Sequence, residues 1–139
     1  MLPAAERVRV LRSLALFSGL ADADLELIAA KLTEASFDKG STIFRAGDPG
    51  DSMFLLVRGK VAIRDRSRLL VTIAAPECFG ELAVLSRDER SADALCDESC
   101  ELLKLRANDL HDLLATRPAL QHQMMLALVR RVKEVGSRR

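Results

Sequence analysis

The chain opens with a helical rhythm of apolar positions. Val8, Leu11 and Ala15 fall at helical spacing, and residues 4–34 read as helix with one interruption. Ser18-Gly19-Leu20 is the interruption, so two helices are expected, joined by a tight turn that carries Phe17 and Leu20. Asp22 is placed to cap the second, ahead of Leu25, Ile28, Ala29 and Leu32. From Ser36 the period changes. Thr42–Arg45, Met53–Val57, Val61–Arg64 and Leu69–Ile73 are short β-prone runs. Polar turns separate them: Asp38-Lys39-Gly40, residues 46–51, Arg58-Gly59-Lys60 and residues 65–68. Two more strands are expected over Ala92–Cys96 and Glu101–Leu105. Helix then resumes: Asn108 can cap it, Asp109 and Asp112 sit in its first turn, and Leu110, Leu113 and Leu114 lie inside. Pro118 suits the first turn of a last helix running from about Ala119 to Val135. Roughly seven or eight short strands with frequent turns indicate a mainly β fold with flanking helices, and seven or eight is the strand number of a jelly roll. Without a linker, repeat or low-complexity segment, residues 1–139 read as one domain: helices about 4–34, barrel about 36–105, helices about 108–135.

Composition narrows the partners. The 139 residues carry 21 Lys and Arg against 20 Asp and Glu, a formal charge of +1, so no large basic surface for nucleic acid is expected. Trp and Tyr are absent, which removes the usual stacking platform for single strands. No apolar run approaches the length of a membrane span. Three cysteines form no paired framework and argue for a reducing cytosol, hence a cytoplasmic protein. Cys96 and Cys100 flank Asp97-Glu98-Ser99 and read as small apolar residues beside a turn. The two histidines, His111 and His122, fall in the helical C-terminal part, so no metal site of the cupin type is expected in the barrel. No nucleophile elbow or HExxH pattern appears, so the chain reads as a non-enzyme without cofactor.

The stretch Phe79-Gly80-Glu81-Leu82-Ala83, followed nine residues after Glu81 by Arg90-Ser91-Ala92, carries the chemistry. A glycine and a carboxylate open a short apolar helical turn, whose free N–H groups and local dipole suit an anion. An Arg guanidinium adds a planar fork for phosphate oxygens. A carboxylate beside a phosphate would repel it, so Glu81 is expected to accept from sugar hydroxyls. Phosphate plus diol points to a nucleotide.

On these residues the chain resembles the cyclic nucleotide-binding domain shared by the catabolite activator protein family, the regulatory subunits of cyclic-AMP-dependent kinase and cyclic-nucleotide-gated channels. The likeness begins at Leu16–Leu20, continues through residues 37–40, 47–51 and 54–59, and is sharpest at 79–83 and 90–92. It implies a double-stranded β-helix jelly-roll barrel with an N-terminal helix pair and two C-terminal helices. It also implies roles. Glu81 would accept from the ribose 2′-hydroxyl, Arg90 would pair with the cyclic phosphate, and backbone N–H groups around Gly80, Leu82 and Ala83 would complete the cradle. Ser91 stands where a hydroxyl can touch phosphate or a guanine amino group, and Ile63, Leu70 and Leu82 would line the purine wall. Two residues depart from the family pattern: Pro76 where a turn glycine is common, and Asp93 where Thr or Ser is. Strand alternation is expected to turn Asp93 away from Arg90.

The expected function is a regulatory sensor of a cyclic purine nucleotide, cyclic AMP favoured over cyclic GMP, that signals through movement of its flanking helices. The alternative is the same fold without ligand, with Glu81 and Arg90 paired to each other, acting as an interaction or structural module. Met125, Leu128, Val132 and Val135 follow a three–four–three spacing that admits a homodimer seam as well as internal packing. The DNA-binding branch of the family adds a helix-turn-helix after the last helix. Only Ser137-Arg138-Arg139 follow Gly136 here, so direct DNA binding is not expected, and an effector in a longer protein is.

Overall fold

The structure, a computed structural model, describes residues 2–137, side chains of 131–137 excepted. Eight strands build two four-stranded antiparallel sheets: β1 Thr33–Phe37, β2 Thr42–Phe44, β3 Ser52–Arg58, β4 Lys60–Asp65, β5 Arg68–Ala74, β6 Glu77–Phe79, β7 Asp93–Cys96 and β8 Cys100–Arg106. One sheet runs β1-β8-β3-β6 and the other β2-β7-β4-β5. The pairs 1–8, 2–7, 3–6 and 4–5 are nested, as when one long antiparallel hairpin is rolled on itself, which is the jelly-roll order. A short helix, α3 Glu81–Ser86, sits between β6 and β7.

The inner layer holds Phe54, Leu56, Val61, Phe79, Ala94, Cys96, Cys100 and Leu102. Residues of opposite parity on the central strands β3 and β8, Met53, Leu55, Leu103 and Leu105, are also fully buried. That is why Met53–Leu56 reads as a continuous apolar run rather than an alternating one. β5 lies at a sheet edge, and Leu69, Leu70 and Val71 stand about half exposed. Cys96 and Cys100 are free buried thiols in the core layer, on either side of the turn at 97–99. Burial, then the contact with Cys100, pushes the Cys96 thiol up to about 12.

Two compact units divide the chain near Lys31 and Leu110. Residues 31–110 form the strand-bearing unit. The helical unit takes residues 2–30 and those from 111 onward, with α1 Ala4–Ser13, α2 Asp22–Lys31, the later part of α4 Ala107–Thr116 and α5 Pro118–Ser137. Within it, Leu11, Phe17, Leu25, Ile28 and Leu120 are fully buried. The Arg117 guanidinium lies 3.3 Å from the Asp24 carboxylate, and Arg7 donates to the Ala29 carbonyl at 3.3 Å.

Several boundaries differ from the sequence expectation. Thr33 and Glu34 belong to β1, not to the second helix, and Ala15 lies past the end of α1 and is exposed. Leu14 is extended (ψ 131), which ends α1 before the apolar rhythm ends. β1 and the three-residue β6 escape the sequence pattern because they are short and carry polar residues. Asn108 lies inside α4 rather than capping it, and Asp22 is the first residue of α2. Of the expected seam, Val132 and Val135 lie outside the described side chains, while on α5 Met125 is exposed and Leu128 half-buried.

Candidate nucleotide site

The site is assembled from β6, α3, the 45–51 loop and the chain entering β7. Gly80 caps α3 in the left-handed region (φ 80, ψ 4) and offers no side-chain cap. The first-turn N–H groups of Leu82 and Ala83 therefore have no intrahelical acceptor. A side chain at Gly80 would also meet Arg90: an added Cβ would stand 2.9 Å from Arg90 Nη1. Glycine is needed there twice, for backbone and for space. The loop packs as tightly on the other side, where a Cβ at Gly50 would come within 2.7 Å of Ala83 Cβ.

Backbone bonds strap the loop to the arginine segment. Arg90 N–H donates to Asp48 O at 2.7 Å, Gly47 N–H to Arg90 O at 2.9 Å, and Gly50 N–H to Asp88 O at 3.1 Å. Asp93 joins this strap: its carboxylate accepts from Ala46 N–H at 2.7 Å. Asp93 is thereby engaged with the loop. Burial alternates along the segment, with Arg90, Ala92 and Ala94 buried, Ser91 exposed and Asp93 intermediate.

Arg90 is only 4% exposed and Glu81 only 2%. Arg90 Nη1 donates to Gly80 O at 2.7 Å, and Nη2 donates to Ser52 O. Its guanidinium carbon lies 4.2 Å from the centre of the Phe44 ring and 5.9 Å from that of Phe54. Phe44, Phe54 and Phe79 form one aromatic cluster, with centroids 5.4–6.1 Å apart. Burial pulls the Arg90 pKa below its ordinary value, and Asp51, then Asp48, act against that pull. Arg90 Nη2 lies 3.9 Å from the Asp51 carboxylate, at the outer edge of ion-pair distance. Arg90 Nε is buried without a hydrogen-bond partner. A guanidinium has five N–H donors, and two are spent on carbonyls. The remaining donors, Nε–H among them, suit a bidentate oxyanion.

The apolar residues expected around a base fall in different settings. Ile63 is half-buried against the core layer and lies opposite Val71 across β4 and β5. Leu70 is the extra residue where the register shifts, since Ile63 pairs with Val71 and Arg64 with Leu69. At such a bulge, alternation no longer fixes which face the side chain takes. Leu82, on α3, is 62% exposed. Phe44, Asp48, Asp51 and the Ser52 carbonyl were not singled out from sequence. The 47–51 turn was legible as a loop, but nothing in its spacing shows that it folds back on Arg90. His111 and His122 lie on α4 and α5, and among the described residues no group of three or more His, Cys, Asp or Glu is placed to hold a metal. No described helix is long and apolar enough to cross a membrane.

The fold is thus a jelly roll that buries one guanidinium, with donors to spare, beside a glycine-led helical turn. The chain belongs to the cyclic nucleotide-binding domain family, whose profile matches residues 34–117. It is similar to the cyclic AMP receptor protein of Thermus thermophilus, 33% identical over 124 residues, which cover 86% of this chain and 57% of that protein. It is also similar to human cGMP-dependent protein kinase 2, 36% identical over 95 residues, covering 64% of this chain and 12% of the kinase. Among solved structures, the N-terminal domain of a transcriptional regulator from Streptomyces coelicolor superposes with a TM-score of 0.77 at 29% identity, covering 92% of this chain and 93% of that one. The T. thermophilus catabolite activator protein superposes with a TM-score of 0.79 at 32% identity, over 89% of this chain and 61% of that one. The chain thus spans little over half the length of the receptor it matches.

Proposed function

We propose that the chain is a regulatory sensor of a cyclic purine nucleotide, cyclic AMP favoured over cyclic GMP, and that it performs no chemistry. One observation carries this reading: Arg90 is buried with an unpartnered Nε beside the Gly80-led turn of α3. A buried donor without an acceptor costs about 1–3 kcal/mol, which an anionic ligand would recover. Arg90 and the N–H groups around Gly80, Leu82 and Ala83 are assigned to the cyclic phosphate. The buried Glu81 is assigned to the ribose 2′-hydroxyl, and Ile63, Leu70 and Leu82 to the base. Ser91 is exposed and opposite in parity to Arg90, which supports adenine over a guanine read through its amino group. The relatives named above point both ways, one to cyclic AMP and one to cyclic GMP.

The alternative of a silent fold needs Glu81 and Arg90 to neutralise each other. The buried Arg90 Nε, left without a hydrogen-bond partner, weighs against it. Signalling is assigned to movement of the flanking helices, and a ligand drives that only by binding one helix arrangement more tightly than the other. The output is assigned to a partner or to an effector in a longer protein, and the free buried thiols suit a cytoplasmic setting. Exposed Met125 and half-buried Leu128 also admit a homodimer through α5, which sedimentation at high concentration tests: a monomer removes it. Titration calorimetry of the intact chain with both nucleotides tests the main reading. Saturable cyclic AMP binding, tighter than cyclic GMP, is expected. Heat from neither at millimolar ligand overturns it.

A further inference from the structure

The guanidinium of Arg90 is held on three sides, and two of the holds are backbone carbonyls that any sequence would supply. The third is the face of Phe44, 4.2 Å away. The local backbone is shaped to deliver that face. β2 pairs Thr42 with Leu95 and Phe44 with Ala94, so Ile43 is an extra residue on the β2 side. In a regular strand Ile43 and Phe44 would point to opposite faces. Here both pack against the inner core layer, as the residues of a bulge do. The strand gives up its pleat at the residue that meets Arg90.

We propose that Phe44 is a positioning residue for the anion: its ring face holds the Arg90 guanidinium in the one orientation that leaves Nε–H available to the ligand. The proposal rests on the cyclic nucleotide reading for its ligand but on geometry alone for the contact. Aromatic faces attract cations through the ring quadrupole, and more so out of water. Arg90 is nearly out of water, and the Asp51 carboxylate 3.9 Å from it is on a side chain that is 68% exposed. With Nη1 on Gly80 O and Nη2 on Ser52 O, the ring prevents the guanidinium from tipping about the line joining those two bonds. Phe54, at 5.9 Å, stands at the outer limit of such a contact, so Phe44 is the closer hold.

The test uses the intact chain with phenylalanine, 4-fluoro-, 3,5-difluoro- and 3,4,5-trifluorophenylalanine at position 44. Fluorine drains the quadrupole while ring shape is nearly kept, a change that a purely structural role would not feel. Cyclic AMP affinity is expected to fall stepwise along the series. Phe44→Leu, which removes the face, is expected to lose about three- to thirtyfold, and Phe44→Tyr to stay within about twofold of wild type. A flat fluorine series, or a tyrosine no better than leucine, overturns the proposal. A second readout needs no ligand: the Arg90 Nε–H proton should show a ring-current shift that Phe44→Leu abolishes. If wild type binds no cyclic nucleotide, the functional reading fails, while this shift still decides the Phe44–Arg90 contact.

Discussion

Removing the Arg90 side chain should separate binding from stability. In Arg90→Ala two hydrogen bonds from a charged donor are lost, to Gly80 O and Ser52 O. Each is worth about 1.5–3 kcal/mol. The stack on Phe44 adds about 0.5–2 kcal/mol. The contact with Asp51 adds about 0–1 kcal/mol, since that carboxylate is largely in water. Against these stands the desolvation of a guanidinium that is 4% exposed, several kcal/mol returned when the charge is deleted. The return offsets these losses only in part, since Gly80 O and Ser52 O are left without their donor, so the unfolding free energy is expected to fall by about 1–3 kcal/mol, read as a lower Tm. Ligand binding has no such compensation. Truncating one partner of a buried charge pair costs about 2–5 kcal/mol, which is about thirtyfold to several-thousandfold in Kd. Calorimetry with cyclic AMP and a thermal melt on the same sample measure both. A folded variant whose Kd moves less than threefold would refute the role given to Arg90.

Three further outcomes follow from the same geometry. Glu81→Gln should weaken cyclic AMP by about tenfold or more, the worth of a hydrogen bond to a charged acceptor, and 2′-deoxy cyclic AMP should lose little extra in that variant; additive losses would take Glu81 off the ribose. Gly80→Ala forces a Cβ to 2.9 Å from Arg90 Nη1 at a φ of +80, so it should cost about 1–3 kcal/mol in a denaturant melt and weaken cyclic AMP as well. The Cys96 thiol, held near 12 rather than its ordinary 9, gives stability that is fully present below pH 9 and is lost as pH rises from 9 to 12. The slope there should not exceed about 1.4 kcal/mol per pH unit, measured by urea melts, and Cys96→Ala should flatten it.

The strongly apolar runs and the clear helical period of this fold were legible in the sequence. Met53–Val57 and Leu69–Ile73 are apolar enough to be strands by composition alone, and α2 keeps its helical period. β1 and β6 were hidden for a physical reason. Thr33-Glu34 continues a helix-compatible pattern, and Glu77-Cys78-Phe79 is three residues that become strand only by pairing with β3. At the site, Gly80, Glu81 and Arg90 were legible because their chemistry is local: a helix start, a carboxylate and a guanidinium within eleven residues. The surroundings of Arg90 were not legible. Phe44 and Ser52 lie 46 and 38 positions before it, and only the rolled sheet order brings them to it.

That surrounding decides what a ligand has to overcome. If Asp51 neutralised Arg90 fully, a phosphate would have to break a strong pair before gaining anything. The distance of 3.9 Å and the 68% exposure of Asp51 place that pair among surface contacts, worth about 0–1 kcal/mol. The carbonyl bonds of Nη1 and Nη2 need not break either, since the guanidinium has donors left over. The resting site therefore holds its arginine in place by neutral groups: two carbonyls and an aromatic face. Asp51 and Asp48 act on its charge, but the effect of burial outweighs them. An oxyanion then meets a cation already oriented and already desolvated, and the binding energy is not spent on freeing it. Asp51→Asn should accordingly change cyclic AMP affinity by less than about fivefold. A loss approaching that of Arg90→Ala would show that the carboxylate, rather than the ring and the carbonyls, holds the arginine.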